Sequence, residues 1–296
     1  MNPLIMALPG AERLAAALSA RLGWAQGELM LHRFPDGESC PRLRPAVAGR
    51  EVVLVAALAQ PDARLVPLYL SASVARELGA RRIGLVAPYL PYMRQDAVFE
   101  EGQGVTARHI ARLLSCCCDW LVTVDPHLHR YRHLSEIYSI ATVVAPAAPA
   151  IAAWVAAQVE RPLLIGPDEE SAQWVAQVAA LAGCPYTVLR KVRSGDRAVA
   201  VSLPQGVAWQ GRSPVLVDDI VSTARTMIAA AGQIAAAGWP PPVCIGVHAL
   251  FAGDAYAALQ AAGVTRIVSC DSVPHVSNAI ALDGVLATAV RELSGT

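Results

Sequence analysis

The sequence predicts an α/β protein of two similar halves, each a mainly parallel sheet flanked by helices. Three observations carry this. Short runs rich in Val, Ile and Leu recur, each followed by turn residues and then by an alanine-rich stretch of helical spacing, the alternation that βαβ units produce. Glycine stands where several of those helical stretches should stop, the place of a C′ residue. And 296 residues is about two ordinary domains' worth of chain.

In chain order the apolar runs are Val52–Leu58, Ile83–Val86, Trp120–Val124, Leu163–Ile165, Val215–Val217, Val243–Val247 and Ile267–Ser269. Helical patterns cover Ala11–Leu22, Leu65–Leu78, Thr106–Leu114, Pro149–Val159, Ser171–Leu181, Thr226–Ala237 and Asp254–Ala262. Gly79, Gly183, Gly238 and Gly263 close four of them. The layout repeats after about half of the chain, and the charge-free segment Ala141–Ala150 lies between the copies. The expected domains are residues 1–145 and 146–296.

Composition narrows the function. At 54% hydrophobic and 16% charged residues, the chain can bury a sizeable core and is not broadly disordered. Twenty-four basic against 24 acidic residues leave no net charge, which argues against a bulk electrostatic grip on nucleic acid or on an anionic membrane. Cys40, Cys116, Cys117, Cys118, Cys184, Cys244 and Cys270 show no C-x-x-C spacing and read as buried, reduced cytosolic thiols. Met1–Ala20 lacks a signal peptide's layout. The charge-free stretch Ser139–Val159 is alanine-rich with Pro146 and Pro149, too weakly hydrophobic for a membrane span. The expectation is a cytoplasmic protein.

Ligands of open α/β sheets bind in the loops beyond the carboxyl ends of strands, and here polar clusters follow the strands. Ile83–Val86 leads to Tyr89, Tyr92, Arg94, Gln95 and Asp96; Trp120–Val124 to Asp125, His127 and His129; Leu163–Ile165 to Asp168, Glu169, Glu170 and Ser171; Ile267–Ser269 to Asp271 and His275. Val215–Val217 leads to Asp218, Asp219, Ser222, Thr223, Ala224, Arg225 and Thr226. Two carboxylates there can accept hydrogen bonds from a sugar's vicinal hydroxyls. The Ser/Thr-rich turn and the helix start behind it suit a phosphate. Together they suggest a sugar phosphate, against the plainer reading of an acidic cap on an ordinary helix.

Val-Leu-Val-Asp218-Asp219-Ile-Val-Ser222-Thr223-Ala224-Arg225-Thr226-Met resembles the phosphoribosyl-diphosphate (PRPP) motif of type I phosphoribosyltransferases and PRPP synthases. The first half resembles the synthases alone. Phe34-Pro-Asp36-Gly-Glu38 is similar to their Phe-x-Asp-Gly-Glu segment, Arg94-Gln95-Asp96 to their adenine loop, Asp125-Pro-His127 to their Asp-Leu-His site, Gly-Pro-Asp168 to their Ser-Pro-Asp turn, and Lys191-Val-Arg193 to their Lys-x-Arg loop. The resemblance spans nearly the whole chain, with the motifs in the family's order. It implies two type I phosphoribosyltransferase-like domains, ATP on the first and ribose 5-phosphate on the second. Phe34, Asp36 and Glu38 would reach the ATP of a neighbouring subunit in a homo-oligomer, a dimer or larger. Arg94, Gln95, Asp96 and His127 would hold ATP, with Mg2+ at Asp125, His127 and Asp168. Asp168, Asp218, Asp219, Ser222, Thr223, Ala224, Arg225 and Thr226 would hold ribose 5-phosphate, and Lys191 and Arg193 would act in catalysis.

One compositional fact stands apart from the resemblance. Lys191 is the single lysine among 24 basic residues, so a chain that otherwise uses arginine keeps a compact ammonium in a basic, glycine-containing loop. Such a loop suits charge developing on a transferring phosphate; a chance leftover lysine is the plain alternative. His127, His129 and His133 with Cys116–Cys118 pose a rival zinc reading, weakened because three adjacent cysteines do not converge on one ion. In isolation Arg94 reads as a surface arginine paired to Asp96, and Phe34 as a core residue.

Three departures from the family pattern stand out. Glu170-Ser171 replaces a Gly-Gly pair, Arg225 replaces a glycine, and the carboxylates after Asp-x-His reduce to Glu136. The expected function is a ribose-phosphate diphosphokinase, which makes PRPP and AMP from ATP and ribose 5-phosphate. The alternatives are a non-catalytic regulatory paralogue and a PRPP-consuming phosphoribosyltransferase.

Overall fold

A computed structural model describes residues 3–194, 198–202 and 211–294, with the backbone alone for Glu170, 190–194 and 198–202. The strands are β1 (Leu4–Ala7), β2 (Ala25–Gln26), β3 (Glu28–Arg33), β4 (Ser39–Arg44), β5 (Glu51–Val55), β6 (Arg82–Val86), β7 (Trp120–Val124), β8 (Ala141–Ala145), β9 (Pro162–Gly166), β10 (Tyr186–Val188), β11 (Arg190–Ser194), β12 (Ala198–Ser202), β13 (Ser213–Val221), β14 (Val243–Ala249), β15 (Arg266–Cys270) and β16 (Asn278–Ile280). The helices are α1 (Glu12–Leu22), α2 (Asp62–Glu77), α3 (Thr106–Cys117), α4 (Ala148–Gln158), α5 (Ala172–Ala182), α6 (Arg225–Ala236), α7 (Ala255–Ala261) and α8 (Asp283–Leu293). Every expected strand and helix forms.

Two six-stranded parallel sheets result, ordered β2-β1-β5-β6-β7-β8 and β10-β9-β13-β14-β15-β16. Each also carries an antiparallel hairpin, β3–β4 or β11–β12, inserted after its second strand. The two topologies match strand for strand, so the expected pair of similar α/β halves is what forms.

The first compact unit is Met1–Pro146 with Ser272–Pro274 and Leu282–Thr296; the second is Ala147–Asp271 with His275–Ala281. The terminal helices are exchanged between halves. α4 follows β8 in sequence but packs beside α5 and β16, while α8 follows β16 but packs on β7, β8 and α1. A boundary at 146 followed to the chain's end therefore misplaces α8. Its ties explain why: Arg21 pairs with Asp283, Arg291 Nη2 donates to the carbonyl of Arg21 (2.8 Å), and Arg82 Nη1 donates to that of Leu293 (2.7 Å).

The sheets form because the central part of each inner strand is apolar. β5 and β7 are buried along their whole length, as strands covered on both faces must be. Leu54, Leu68, Leu85 and Leu121 centre the first core, and Leu163, Leu216, Met227 and Leu259 the second. Each fully buried aliphatic side chain is worth about 1.5–3 kcal/mol. One polar feature sits inside the first. The Trp120 indole lies over Gly84, where any Cβ would collide with it, and donates through Nε1 to buried Glu51 (2.8 Å).

The cysteines are all free, with Cys117, Cys118, Cys244 and Cys270 buried but Cys40 and Cys116 exposed. Among the described residues no helix is long and apolar enough to cross a membrane.

Candidate active site

In the first unit three polar segments precede or follow strands as the sequence suggests. Phe34, Asp36 and Glu38 form the tip of the β3–β4 hairpin. The tip is tightly bonded: Phe34 N–H donates to the Glu38 carbonyl (2.8 Å), Gly37 N–H to that of Phe34 (2.9 Å) and Glu38 N–H to Asp36 Oδ1 (3.2 Å). Gly37 takes φ +95°, a conformation that side chains rarely adopt. Phe34 is 43% exposed, its ring edge-on to His32 at 4.5 Å.

The loop after β6 anchors through Leu90 and Met93, both buried. Tyr92 sits at φ +65° and donates its hydroxyl to Asp62, the main cause that pushes its own ionisation up to about 12. Burial pushes Tyr89 up while the Arg94 cation opposes this. Gln95 N–H donates to Tyr92 (2.9 Å) and its carbonyl accepts from Ala107 N–H (3.2 Å), which docks the loop on the first turn of α3. Arg94 and Gln95 are exposed, but Asp96 is buried. Its carboxylate faces Arg130 at 2.9 Å, so it is not presented with its two neighbours. Beyond β7, Asp125 bends the chain at φ +31°, and the His127 and His129 rings stack 5.9 Å apart.

In the second unit the acidic pair lies within β13 rather than after it, with Asp218 opposite Gly246 of β14. Each carboxylate caps the next peptide: Asp218 Oδ1 accepts from Asp219 N–H (3.0 Å) and Asp219 Oδ1 from Ile220 N–H (2.7 Å). Burial raises Asp218 well above an ordinary carboxyl, and the like charges of Asp219 and then Asp168 add to the rise. Like charges on neighbouring carboxylates repel one another and favour hydroxyl donors beside Asp218.

Ser222, Thr223 and Ala224 then turn into α6, with Ala224 at φ +56°, a strained position of the kind that clusters at ligand sites. Arg225 and Thr226 are exposed in the first helical turn, where backbone N–H groups have no partner within the helix. The turn is braced from β14. Leu250 and Phe251 N–H groups donate to the Val221 carbonyl and Ala252 N–H to that of Ser222, all at 3.0 Å. Phe251 packs in turn on Tyr256 and His275 at 5.1 and 4.7 Å.

Asp168 caps the short turn Glu169–Ser171. Ser171, standing where the family pattern has glycine, returns its hydroxyl to the Asp168 carbonyl (2.6 Å) and fills the space beside Gly166. Lys191 and Arg193 fall on β11, opposite Val201 and Val199 of β12; their side chains lie outside the described residues. Among the described residues no three His, Cys, Asp or Glu side chains converge to hold a metal.

Sequence reasoning missed Arg130, Gly246 and the Phe251 brace. Nothing local distinguishes them; each acts through a segment distant in sequence.

Two units of this topology, one with an acidic pair opening onto a Ser/Thr turn and helix N-terminus, define a protein built from phosphoribosyltransferase-type domains. Comparison with known proteins narrows the class. Residues 4–117 match the N-terminal domain of ribose phosphate pyrophosphokinase, and residues 133–283 the phosphoribosyl transferase domain. A ribose-phosphate pyrophosphokinase of Methanopyrus kandleri is 33% identical over 96% of this chain and 95% of that one. Another, of Halobacterium salinarum, is 35% identical over 91% of this chain and 94% of its own. The crystal structure of phosphoribosylpyrophosphate synthetase from Mycobacterium smegmatis shares the fold, with a TM-score of 0.84 at 20% identity over 99% of both chains. The chain belongs to the ribose-phosphate pyrophosphokinase family.

Proposed function

We propose that this chain transfers the diphosphate of ATP to the 1-hydroxyl of ribose 5-phosphate, giving PRPP and AMP. The observation that carries the reading is the acidic pair beside the strained turn of the second unit, in a chain whose first unit exposes Arg94 and Gln95. A transferase that consumes PRPP needs only the acidic pair and its turn. The ribose oxygen attacks the β-phosphorus, the bond to the α-phosphate oxygen breaks, AMP leaves, and the hydroxyl proton passes to solvent.

In such a transfer the protein's work is positioning and charge neutralisation. Asp218 and Asp219 accept from the ribose hydroxyls, with Asp168 nearby. Ser222, Thr223, Thr226 and Arg225 hold the 5-phosphate with the N–H groups from Ala224 onward. Lys191 and Arg193 neutralise charge as it develops, and Arg94 stacks on the purine beside Gln95. Phe34, Asp36 and Glu38 complete the ATP site of a neighbouring subunit, which makes the working form a homo-oligomer, in the cytoplasm.

Mg2+ fits the donors present. Asp125, with His127, offers a carboxylate in the first unit and Asp168 offers one in the second, and Mg2+ is ordinarily held by one or two carboxylates plus substrate phosphates. Bound with the substrate phosphates, it would neutralise the diphosphate. A paralogue without turnover is the second reading, favoured by Ser171 filling the turn beside Asp168. Incubation with ATP, ribose 5-phosphate and Mg2+ decides between them: AMP and PRPP accumulate together, or neither does.

A further inference from the structure

We propose that Asp96 and Arg130 form a positioning pair that holds the two ATP-side loops of the first unit in register; this rests on the function proposed above. The loop after β6 presents Arg94 and Gln95, and the loop after β7 presents Asp125 and His127. β6 and β7 are neighbours, so the loops start side by side, and the base of one is already fixed to the other. Ala87 N–H donates to Val122 (2.9 Å), and Val124 N–H and the Thr123 hydroxyl both reach the Pro88 carbonyl (3.0 and 3.2 Å). Further out, Asp125 N–H turns to the carbonyl of Ala145 at the end of β8 (3.4 Å), which ties the second loop to the strand on the far side of β7 and not to the first loop.

The ion pair takes over there. Asp96 has a side chain only 3% exposed, and Arg130 Nη1 meets its Oδ1 at 2.9 Å. The same guanidinium lies 5.5 Å from the centroid of Phe99 and 3.4 Å from His129 Nδ1, and His129 stacks on His127. A continuous path thus runs from Arg94–Gln95–Asp96 through Arg130 and His129 to His127. A second stitch runs parallel to it: Arg108 Nε at the start of α3 donates to the hydroxyl of buried Tyr131 (3.0 Å).

Asp96 Oδ2 is buried without a hydrogen-bond partner among the described residues. The carboxylate therefore depends on Arg130 for compensation. Removing Arg130 leaves the buried Asp96 carboxylate uncompensated, removing Asp96 leaves a half-exposed guanidinium that no longer anchors its loop, and replacing both can be nearly neutral. That asymmetry separates positioning from ligand contact.

The test is a double-mutant cycle on the full chain with Asp96→Asn, Arg130→Gln and the double variant, measuring KM for ATP and for ribose 5-phosphate. Each single variant is expected to raise the ATP KM about tenfold, with the ribose 5-phosphate KM changed less than about twofold. The double variant, whose two amides can bond each other, is expected to return to within about threefold of wild type. A defect in Asp96→Asn that persists undiminished in the double variant would mean that Asp96 touches the nucleotide itself, and overturns the proposal. So does a rise shared equally by both substrates. If Arg130→Gln does not fold, Arg130→Lys carries the test, its rise in KM expected for ATP alone; an equal rise for ribose 5-phosphate overturns the pair. Should wild type make no PRPP, the proposed reaction fails separately. The cycle is then read from ATP affinity by calorimetry, with the same loss and rescue expected, and their absence again overturns it.

Discussion

Replacing Gly246 by alanine tests the link between the second sheet and the phosphate turn. Gly246 lies on β14 beside Val221, the last residue of β13. A Cβ there would stand 2.5 Å from Val221 Cγ2 and 3.6 Å from its Cβ. Val221 is buried and its β-branched side chain is stiff, so the strand ends must part instead. Overpacking of this kind costs about 1–3 kcal/mol, and at about 2–4 °C per kcal/mol melting should fall by about 2–12 °C. The displaced carbonyls are those of Val221 and Ser222, which Leu250, Phe251 and Ala252 hold. The turn moves with them. Small misplacements of binding groups cost up to about 10²-fold, so the KM for ribose 5-phosphate should rise at least about fivefold while that for ATP stays. Thermal melting and initial rates give both numbers. Val221→Ala in the same chain removes the colliding methyl, and the double variant should recover about 0.5–3 kcal/mol relative to the sum of the singles. A Gly246→Ala protein that melts as wild type does, or a double variant with no recovery, refutes the steric argument.

Three further outcomes are expected. Asp218 is held above its ordinary value of 3.8, so the folded state keeps a proton that the unfolded state has lost. Stability therefore falls as pH rises from about 4 towards the raised value; Asp218→Asn should flatten melting temperature against pH and raise it at neutral pH while abolishing ribose 5-phosphate affinity, and a lower melting temperature at pH 7 contradicts this. Lys191→Ala should lower kcat by about 10²–10³ with little change in either KM, and Lys191→Arg should recover only part of the rate; near wild-type turnover by Lys191→Ala would make the lone lysine an accident. Phe34→Ala and Lys191→Ala subunits, each inactive alone, should regain activity when unfolded and refolded together, because mixed assemblies pair an intact hairpin with an intact catalytic loop. No gain on mixing places Phe34 in its own subunit's site.

Much of the fold was legible because buried parallel strands are built around continuous apolar runs. Trp120–Val124 is the same run in sequence and in structure. The edge strands were not. β8, Ala141–Ala145, has the same small apolar composition as the link that follows it, and only pairing with β7 makes it a strand. Of the hairpins, β3, β4 and β11 carry charged residues along their length, and β12 is a short run of alanine and valine. α8 has regularly spaced apolar residues at Leu286 and Val290, but it starts from Leu282, which offers no capping side chain. Site loops were legible because ligand chemistry restricts residue types at short spacing, as in Asp218–Thr226. The contacts that brace those loops were not. Asp96 and Arg130 are 34 positions apart, and either one alone reads as an ordinary charged loop residue.

The central claim is transfer of a diphosphate from the β-phosphorus of ATP. ATP labelled with 32P at the β-position, incubated with the protein, ribose 5-phosphate and Mg2+, tests it most directly. The label should leave the nucleotide completely and appear in PRPP in step with unlabelled AMP. Label retained on ADP would mean that only the terminal phosphate moves, and label retained on ATP that none does; either result contradicts the account.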